Sequence, residues 1–166
     1  VSQTRLKDSA YNDNASNAIG QTEGTIFTEV NRFGENGTAL YENLFFLGDG
    51  GISNFINIVY YVNNNRYQAQ IRSSGSTSVS IVSDLDYTGT IKLAMTYSSS
   101  KASFFINGKK MGDDTSVTLP AATLNTIGLM GYRTNISGDN FIGENKQTLL
   151  FKTALTDSEC IELTTI

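Results

Sequence analysis

The chain has 166 residues, a net charge of −4 and a pI of about 4.7. This acidic balance argues against binding to a nucleic-acid backbone, which needs clustered Lys and Arg. The sequence contains no His, so Ser-His-Asp catalysis, Cys-His catalysis and His-based zinc sites are excluded. Cys160 is the only cysteine, so no intrachain disulfide can form.

Most of the polar residues are uncharged, and only 17% of the chain is Asp, Glu, Lys or Arg. Asn, Gly, Ser and Thr are abundant and favour turns between short strands. We expect one domain spanning residues 1–166, with a loop-like N-terminal segment at 1–23 that carries little periodicity. No apolar run approaches the length that spans a bilayer, so no membrane insertion is expected.

Short apolar or alternating runs, separated by turn residues, predict nine strands in chain order. The runs are 25–32, 43–47, 55–62, 66–72, 79–83, 90–97, 102–107, 126–132 and 141–151. Because no long helices lie between them, the pattern predicts an all-β fold of two antiparallel sheets. Pro120 falls in a connection, where its missing N–H costs no sheet hydrogen bond.

The run 66–72 alternates between apolar and polar side chains, so one side faces the core and the other faces solvent. Neighbouring strands extend this polar side, and such a face suits neutral sugars, which are held by amides, Arg and aromatic rings. Glu29 joins the face if Ile26, Thr28 and Val30 point inward. The candidate ligand residues are Asn57, Tyr61, Gln68, Gln70, Arg72 and Glu29. The alternative is that each is an ordinary solvated surface residue.

One short C-terminal helix is predicted over 156–164. Thr156 is a good N-cap, and Glu159 three residues later completes a capping box. Leu155 and Cys160 occupy the positions of a hydrophobic staple, so Cys160 is expected to be a buried thiol with no nucleophilic role.

The order of several motifs resembles a known family. The motifs are 20–25, Gly48-Asp49-Gly50, 91–97, Phe104-Phe105-Ile106-Asn107-Gly108, Leu119-Pro120, Leu129-Met130-Gly131, 154–159 and Glu162-Leu163-Thr164-Thr165. Together they resemble laminin G-like domains of the concanavalin A-like lectin/glucanase superfamily, of the type found in phage tail-fibre and other phage structural proteins and in marine bacterial surface proteins. The resemblance implies a jelly-roll sandwich, often with a concave face that binds sugars.

The resemblance also implies where such a chain works. We expect a non-catalytic carbohydrate-binding, host-recognition module on a virion tail fibre or surface, or an extracellular or cell-surface location. Its partners would be a cell-surface or extracellular glycan and other virion or surface-protein subunits, with a homotrimer in the full-length protein. The alternative function is a structural or assembly domain, acting as spacer or decoration without a sugar ligand. An exposed Phe105 or Tyr61 would serve either function.

A second candidate site is a rim of loops, because loops on a rigid sandwich commonly carry recognition residues. Its residues are Tyr132, Arg133, Asn135 and Asp139.

Catalysis is not expected. The acidic strand motif Glu-x-Asp-x-x-Glu of the related endoglycanases is absent, and Asp84-Leu85-Asp86 comes closest to it. Glycosidases place two carboxyls about 5 to 9.5 Å apart. These two aspartates adjoin Tyr87-Thr88-Gly89, so they are interpreted as turn residues.

Metal binding is the other chemistry that the resemblance raises, since animal laminin G modules often carry a structural calcium held by oxygen ligands. Asp49, Asp113 and Asp114 are the candidate ligands. Turn chemistry explains all three, so no cofactor is expected.

Overall fold

Two antiparallel β-sheets pack face to face in the computed structural model, which describes residues 10–34, 40–131 and 141–166. A helix, α1 (Asp157–Thr164), follows the last strand, and short 3-10 turns lie at Ser16–Ala18 and Val62–Asn64. The strands are β1 (Ala10–Asn12), β2 (Glu23–Arg32), β3 (Tyr41–Gly48), β4 (Phe55–Tyr61), β5 (Arg66–Ser73), β6 (Ser76–Val82), β7 (Gly89–Ser98), β8 (Ala102–Ile106), β9 (Lys109–Asp114), β10 (Thr126–Leu129) and β11 (Gly143–Phe151).

The six-stranded sheet has the order β1-β10-β3-β4-β5-β6, and the five-stranded sheet has the order β11-β2-β7-β8-β9. Every pairing between neighbours is antiparallel. Strands distant in sequence, such as β11 and β2, therefore lie side by side. The predicted fold class, an all-β, two-sheet antiparallel jelly roll with one short C-terminal helix, is confirmed.

The core lies between the sheets and follows the period-2 pattern of the strands. Ile58 and Ile71 project from the six-stranded sheet, and Val30 and Leu93 project from the five-stranded sheet into the same cluster. All four are fully buried. Burial of apolar surface contributes about 25 cal/mol per Å², so this shared cluster is the main force that holds the two sheets together.

Two strands were not predicted from the sequence. β9 follows Asn107 and Gly108, whose positive φ angles of 49° and 75° make the tight two-residue turn of a hairpin. The sequence did not predict β9 because its residues are mostly polar. It is an edge strand and is only partly buried, so it shows no apolar alternation. β1 is three residues long and exposed, and it pairs with β10, so the segment 1–23 is not entirely loop.

Helix α1 begins as predicted. Glu159 N donates to Thr156 Oγ1 at 3.3 Å, and Thr156 N donates to Glu159 Oε2 at 2.7 Å, which completes the capping box. Cys160 is fully buried and packs on Phe27 and Phe105. The helix therefore covers part of the outer face of the five-stranded sheet, and the expectation that Phe105 is exposed is wrong.

Within residues 10–34, 40–131 and 141–166, no helix is long and apolar enough to cross a bilayer.

Candidate functional site

The outer face of the six-stranded sheet carries most of the predicted ligand residues. Strand pairing sets Asn57 of β4 opposite Gln70 of β5, and Gln70 opposite Ser80 of β6. One row further along, Phe55 lies opposite Arg72. Directly paired residues point to the same side of a sheet. The prediction that these polar side chains share one face therefore agrees with the register.

Two of the predicted residues form a buried amide layer in this face. Asn57 Nδ2 donates to Asn43 Oδ1 at 3.0 Å, and Gln68 Nε2 donates to Ser80 Oγ at 2.7 Å. Asn57 is 4% exposed and Gln68 is 7% exposed. Their amide oxygens are buried and receive no hydrogen bond from the residues that the structure describes. Asn57 and Gln68 therefore support the face from within and do not form its contact surface.

Arg72 is half-buried and its orientation is fixed. Its Nε donates to the carbonyl of Gly75 at 2.9 Å, and its guanidinium carbon lies 6.0 Å from the centroid of the Phe55 ring. In the described part of the chain, no acceptor meets the two terminal nitrogens of Arg72. These N–H groups can bind an incoming oxygen without breaking an existing bond.

Gln70 is half-buried between Asn57 and Ser80. Its amide makes no hydrogen bond with another described residue. Gln70 and Arg72 are separated by one residue on β5 and point to the same side, so they offer amide and guanidinium donors together.

Tyr61 lies near the other end of this face. Its ring stacks on that of Tyr41, with centroids 4.7 Å apart and planes at 21°. Arg66 is its cross-strand partner and donates from Nη1 to the carbonyls of Asn64 and Asn65 at 3.3 and 2.8 Å. Arg66 was not among the predicted site residues. The period-2 pattern of β5 would have found it, since Arg66 and Arg72 are an even number of residues apart.

The expectation that Glu29 joins this face is wrong. Glu29 lies on β2 in the five-stranded sheet, opposite Lys92 of β7. Of the predicted inward set of Ile26, Thr28 and Val30, Ile26 and Val30 belong to the core cluster between the sheets. Phe27 packs against Cys160 on the other side of the strand, so the predicted alternation agrees with the structure. Periodicity gives the side of a strand, but it does not say which sheet the strand joins.

The alternative rim of loops cannot be placed, because Tyr132, Arg133, Asn135 and Asp139 lie outside the described residues. The rim stays a prediction.

A separate cleft of about 380 Å³ opens beside the end of β2. It is lined by Arg32, Phe33, Gly34 and Thr88. The Arg32 guanidinium lies over the ring of Tyr60 at 3.9 Å and donates to both carboxylate oxygens of Asp86 at 3.2 and 3.3 Å. The volume suits a small ligand. Because the Asp86 carboxylate already binds the Arg32 guanidinium, an anionic ligand would have to displace Asp86 from it.

Comparison with known proteins identifies the family. A family model described as the concanavalin A-like lectin/glucanases superfamily matches residues 9–160. The chain belongs to this superfamily. The predicted laminin G-like resemblance is confirmed. No sequence among the curated proteins compared with it matches the chain.

Several solved structures share this concanavalin A-like fold. The CBM40 module of the Ruminococcus gnavus IT-sialidase has a TM-score of 0.77 at 13% identity, covering 98% of this chain and 96% of that one. The same module bound to α2,3-sialyllactose has a TM-score of 0.78 at 15% identity, with the same coverage. A mutant of the NanB sialidase of Streptococcus pneumoniae has a TM-score of 0.73 at 15% identity. The match covers 96% of this chain but only 26% of that one. At identities this low, the structural likeness shows a shared fold and nothing more.

The superfamily includes glucanases, so the two aspartates considered for catalysis need a structural account. Asp84 accepts hydrogen bonds from Lys109 Nζ and, at 2.9 Å, from Tyr87 Oη. These bonds hold the pKa of Asp84 below its ordinary value. A general acid for sugar cleavage needs a raised pKa. Asp86 is bound by Arg32, so the two carboxylates serve separate ion pairs.

The predicted calcium ligands of this laminin G-like domain act in turns and ion pairs. Asp49 accepts from Gly51 N at 2.8 Å and from Asn54 Nδ2 at 2.9 Å. Asp114 accepts from Ser116 N at 2.8 Å, whereas Asp113 pairs with Lys110 at 2.9 Å. Across 10–34, 40–131 and 141–166, no three Asp, Glu, Cys or His residues are grouped as a metal site.

Proposed function

We propose that this laminin G-like chain is a non-catalytic carbohydrate-binding module whose ligand lies on the outer face of the six-stranded sheet. The observation that carries the proposal is the state of Arg72. Its guanidinium is oriented by Gly75 and Phe55, while its terminal N–H groups meet no acceptor in the described chain. A donor fixed in advance loses little conformational entropy when a ligand binds.

The neighbours of Arg72 supply the other chemistry that sugars need. Gln70 offers both an amide donor and an amide acceptor for hydroxyls. The stacked rings of Tyr61 and Tyr41 offer an apolar surface at the far end of the face. The fold of a carbohydrate-binding module that was solved with sialyllactose supports the same function for this chain.

We propose further that the module is part of a phage tail fibre or another virion surface protein and binds a host polysaccharide for it. The order of the laminin G-like motifs and the ending Glu162-Leu163-Thr164-Thr165 support this context. In such a protein the module would work beside other subunits, in a homotrimer.

A glycan panel tests the binding function. It should contain 3′- and 6′-sialyllactose, neutral lactose, uronic acid oligomers and bacterial surface polysaccharides, with hits measured by calorimetry. We expect at least one hit, weakened about tenfold or more by Arg72→Ala, since hydrogen bonds to charged groups are worth about 1.5 to 3 kcal/mol. Gln70→Ala should weaken the same hit.

The matched control is Glu29→Ala, which removes a polar side chain from the five-stranded sheet. It should leave affinity unchanged. A hit that survives both Arg72→Ala and Gln70→Ala at full affinity would show that the face is the wrong place, and the rim at Tyr132 and Arg133 would be tested next.

A structural or assembly function is the second candidate. Phe33 is 62% exposed and Ile142 is 40% exposed, and Phe33 N donates to Ile142 O at 3.0 Å, so the two apolar residues are neighbours. Exposed apolar neighbours of this kind suit a subunit contact. Light scattering would support assembly if it shows a trimer that Phe33→Ser converts to monomers, together with no glycan hit.

A further inference from the structure

The charges of β5 differ from those of the strands beside it and from the protein as a whole. β4, β5 and β6 contain no Asp or Glu, although the chain carries a net charge of −4. β5 contains two arginines, Arg66 and Arg72. Three adjacent strands of an acidic protein therefore present positive charge alone.

Neither of these arginines is neutralised by a carboxylate within the described residues. Arg32, the third described arginine, is paired with Asp86. Arg66 and Arg72 instead donate to main-chain carbonyls, Arg66 to those of Asn64 and Asn65 and Arg72 to that of Gly75. These bonds hold each guanidinium in place but leave its charge available.

The two arginines lie at opposite ends of one side of β5. They are an even number of residues apart, so both point away from the core on the same face. At about 3.3 Å per residue, the six steps between them span roughly 20 Å. Gln70 lies between them, and Ser80 and Val82 of β6 flank the strand and are exposed. We call Arg66, Gln70 and Arg72 the β5 strip.

We propose that the β5 strip binds an extended acidic polysaccharide, a chain of uronic acid sugars with carboxylates that meet Arg66 and Arg72 at the two ends. The guanidinium fork matches a carboxylate in geometry as well as in charge. Gln70 then contacts hydroxyls of the sugars between the ends. This inference rests on the proposed carbohydrate-binding function, and it adds the charge and the length of the ligand.

The length of the ligand follows from the spacing of the charges. A sugar with one carboxylate engages one arginine at a time. A chain long enough to reach both converts the second contact into an intramolecular step, which raises the apparent affinity strongly. The net negative charge of the rest of the molecule opposes binding of polyanions elsewhere on its surface.

Calorimetry with oligogalacturonates of increasing length tests the proposal, and cellohexaose serves as a neutral hexamer. We expect the hexamer to bind at least tenfold more tightly than the dimer and than cellohexaose. Arg66→Ala and Arg72→Ala should each bring the affinity for the hexamer down to about that for the dimer. Arg66→Lys and Arg72→Lys keep the positive charge but lose the planar guanidinium fork. Their affinities for the hexamer should therefore lie between those of the parent and of the Ala variants.

Lys146→Ala is the matched control, because it removes one positive charge from β11 in the five-stranded sheet. It should change the hexamer affinity less than twofold. Circular dichroism and thermal unfolding of each variant should show a folded protein before binding is interpreted.

Equal affinities for dimer and hexamer would overturn the proposal, as would a hexamer affinity that Arg66→Ala leaves unchanged. Equally tight binding of a thymidylate hexamer would show an unselective polyanion surface and would also overturn it. If sialyllactose or a neutral glycan binds but oligogalacturonates do not, the β5 strip inference fails and the carbohydrate-binding function stands. If no glycan binds at all, both fail.

Discussion

Arg72 and Gly75 are joined by a hydrogen bond from the arginine Nε to the glycine carbonyl, at 2.9 Å, across the turn between β5 and β6. Ser74 and Gly75 both have positive φ, 48° and 84°, as a two-residue hairpin turn requires. The turn thus places the carbonyl that orients the guanidinium, and this links the local hairpin geometry to the candidate ligand surface.

Replacing Arg72 by Ala should cost stability as well as binding. The variant loses one hydrogen bond and the contact with Phe55, so the free energy of unfolding should fall by about 1 kcal/mol. For a chain of this size, that lowers the melting temperature by roughly 2 to 4 °C. Gln70→Ala is the control and should shift the melting temperature less, since Gln70 makes no hydrogen bond with another described residue. A larger loss for Gln70→Ala would contradict this account of the face.

The buried hydroxyl of Tyr97 provides a second prediction. Tyr97 is fully buried, and its Oη donates to the carbonyl of Gly20 at 2.8 Å. Tyr97→Phe leaves that carbonyl without its donor, which should lower the free energy of unfolding by about 1 to 3 kcal/mol in urea denaturation. Tyr11→Phe removes a hydroxyl from a side chain that is 51% exposed and should change it by under about 0.5 kcal/mol. Similar losses for both variants would argue against the buried bond.

The side of each strand that faces the core could be predicted from the sequence, because successive side chains of a strand point to opposite faces of the sheet. The inner positions of β5 and β7 agree with the structure: Tyr67, Ala69, Ile71, Ile91, Leu93, Met95 and Tyr97 are all buried. The capping box of α1 was also predictable, since Thr156 and Glu159 interact within one turn. These features depend on residues close in sequence.

Features that depend on distant pairing could not be predicted. Glu29 was placed with the wrong sheet because β2 pairs with β7 and β11, which are far away in sequence. Phe105 was expected to be exposed, and only the docking of α1 shows that it is covered. The burial of Asn57 and Gln68 likewise depends on the amides and hydroxyls that neighbouring strands bring beside them.

The capping box of α1 should contribute measurably to stability. Thr156→Ala removes the acceptor for Glu159 N and the hydroxyl that donates to Glu159 Oε2, and losing an N-cap costs about 1 kcal/mol. Thr153→Ala makes the same change outside the helix and should have little effect. Urea denaturation of both variants checks the difference.

The same variant should alter the acid side of the pH profile. Hydrogen bonds from Thr156 lower the pKa of Glu159 in the folded protein. A carboxyl with a depressed folded pKa stabilises the fold above its unfolded pKa, and that stability is lost as the pH falls through the folded pKa. Thr156→Ala should therefore lose less stability than the parent on acidification below about pH 4.5. An unchanged acid profile would contradict the role assigned to this contact.

The ion pairs of Asp84 and Asp86 predict that the module does not cleave sugars. Incubation with laminarin or agarose should release no reducing sugar above the level without protein, since both carboxylates are held by cations and the pKa of Asp84 is lowered. Turnover that disappears in Asp84→Asn or Asp86→Asn would overturn this prediction. Turnover that survives both substitutions would point to a contaminating enzyme.

The thiol of Cys160 should be unreactive in the native protein and should make the fold sensitive to alkali. Burial is the largest of the causes that raise its pKa to about 11, from an ordinary value of about 9. At pH 8 a thiol-labelling reagent should therefore react far more slowly with the native protein than with the protein in urea. Comparable rates would mean that α1 opens readily and that the contact with Phe27 and Phe105 is weak.

The sign of the alkaline effect follows from the direction of the pKa shift. The folded state binds the thiol proton more tightly than the unfolded state does, so this stabilisation is complete below about pH 9 and is lost as the pH rises towards 11. Cys160→Ala should lower stability at pH 7 by about 1 kcal/mol through lost packing. Its stability should then fall less steeply than that of the parent between pH 9 and 11. Parallel curves for the two proteins in that range would show that the thiol does not titrate with folding.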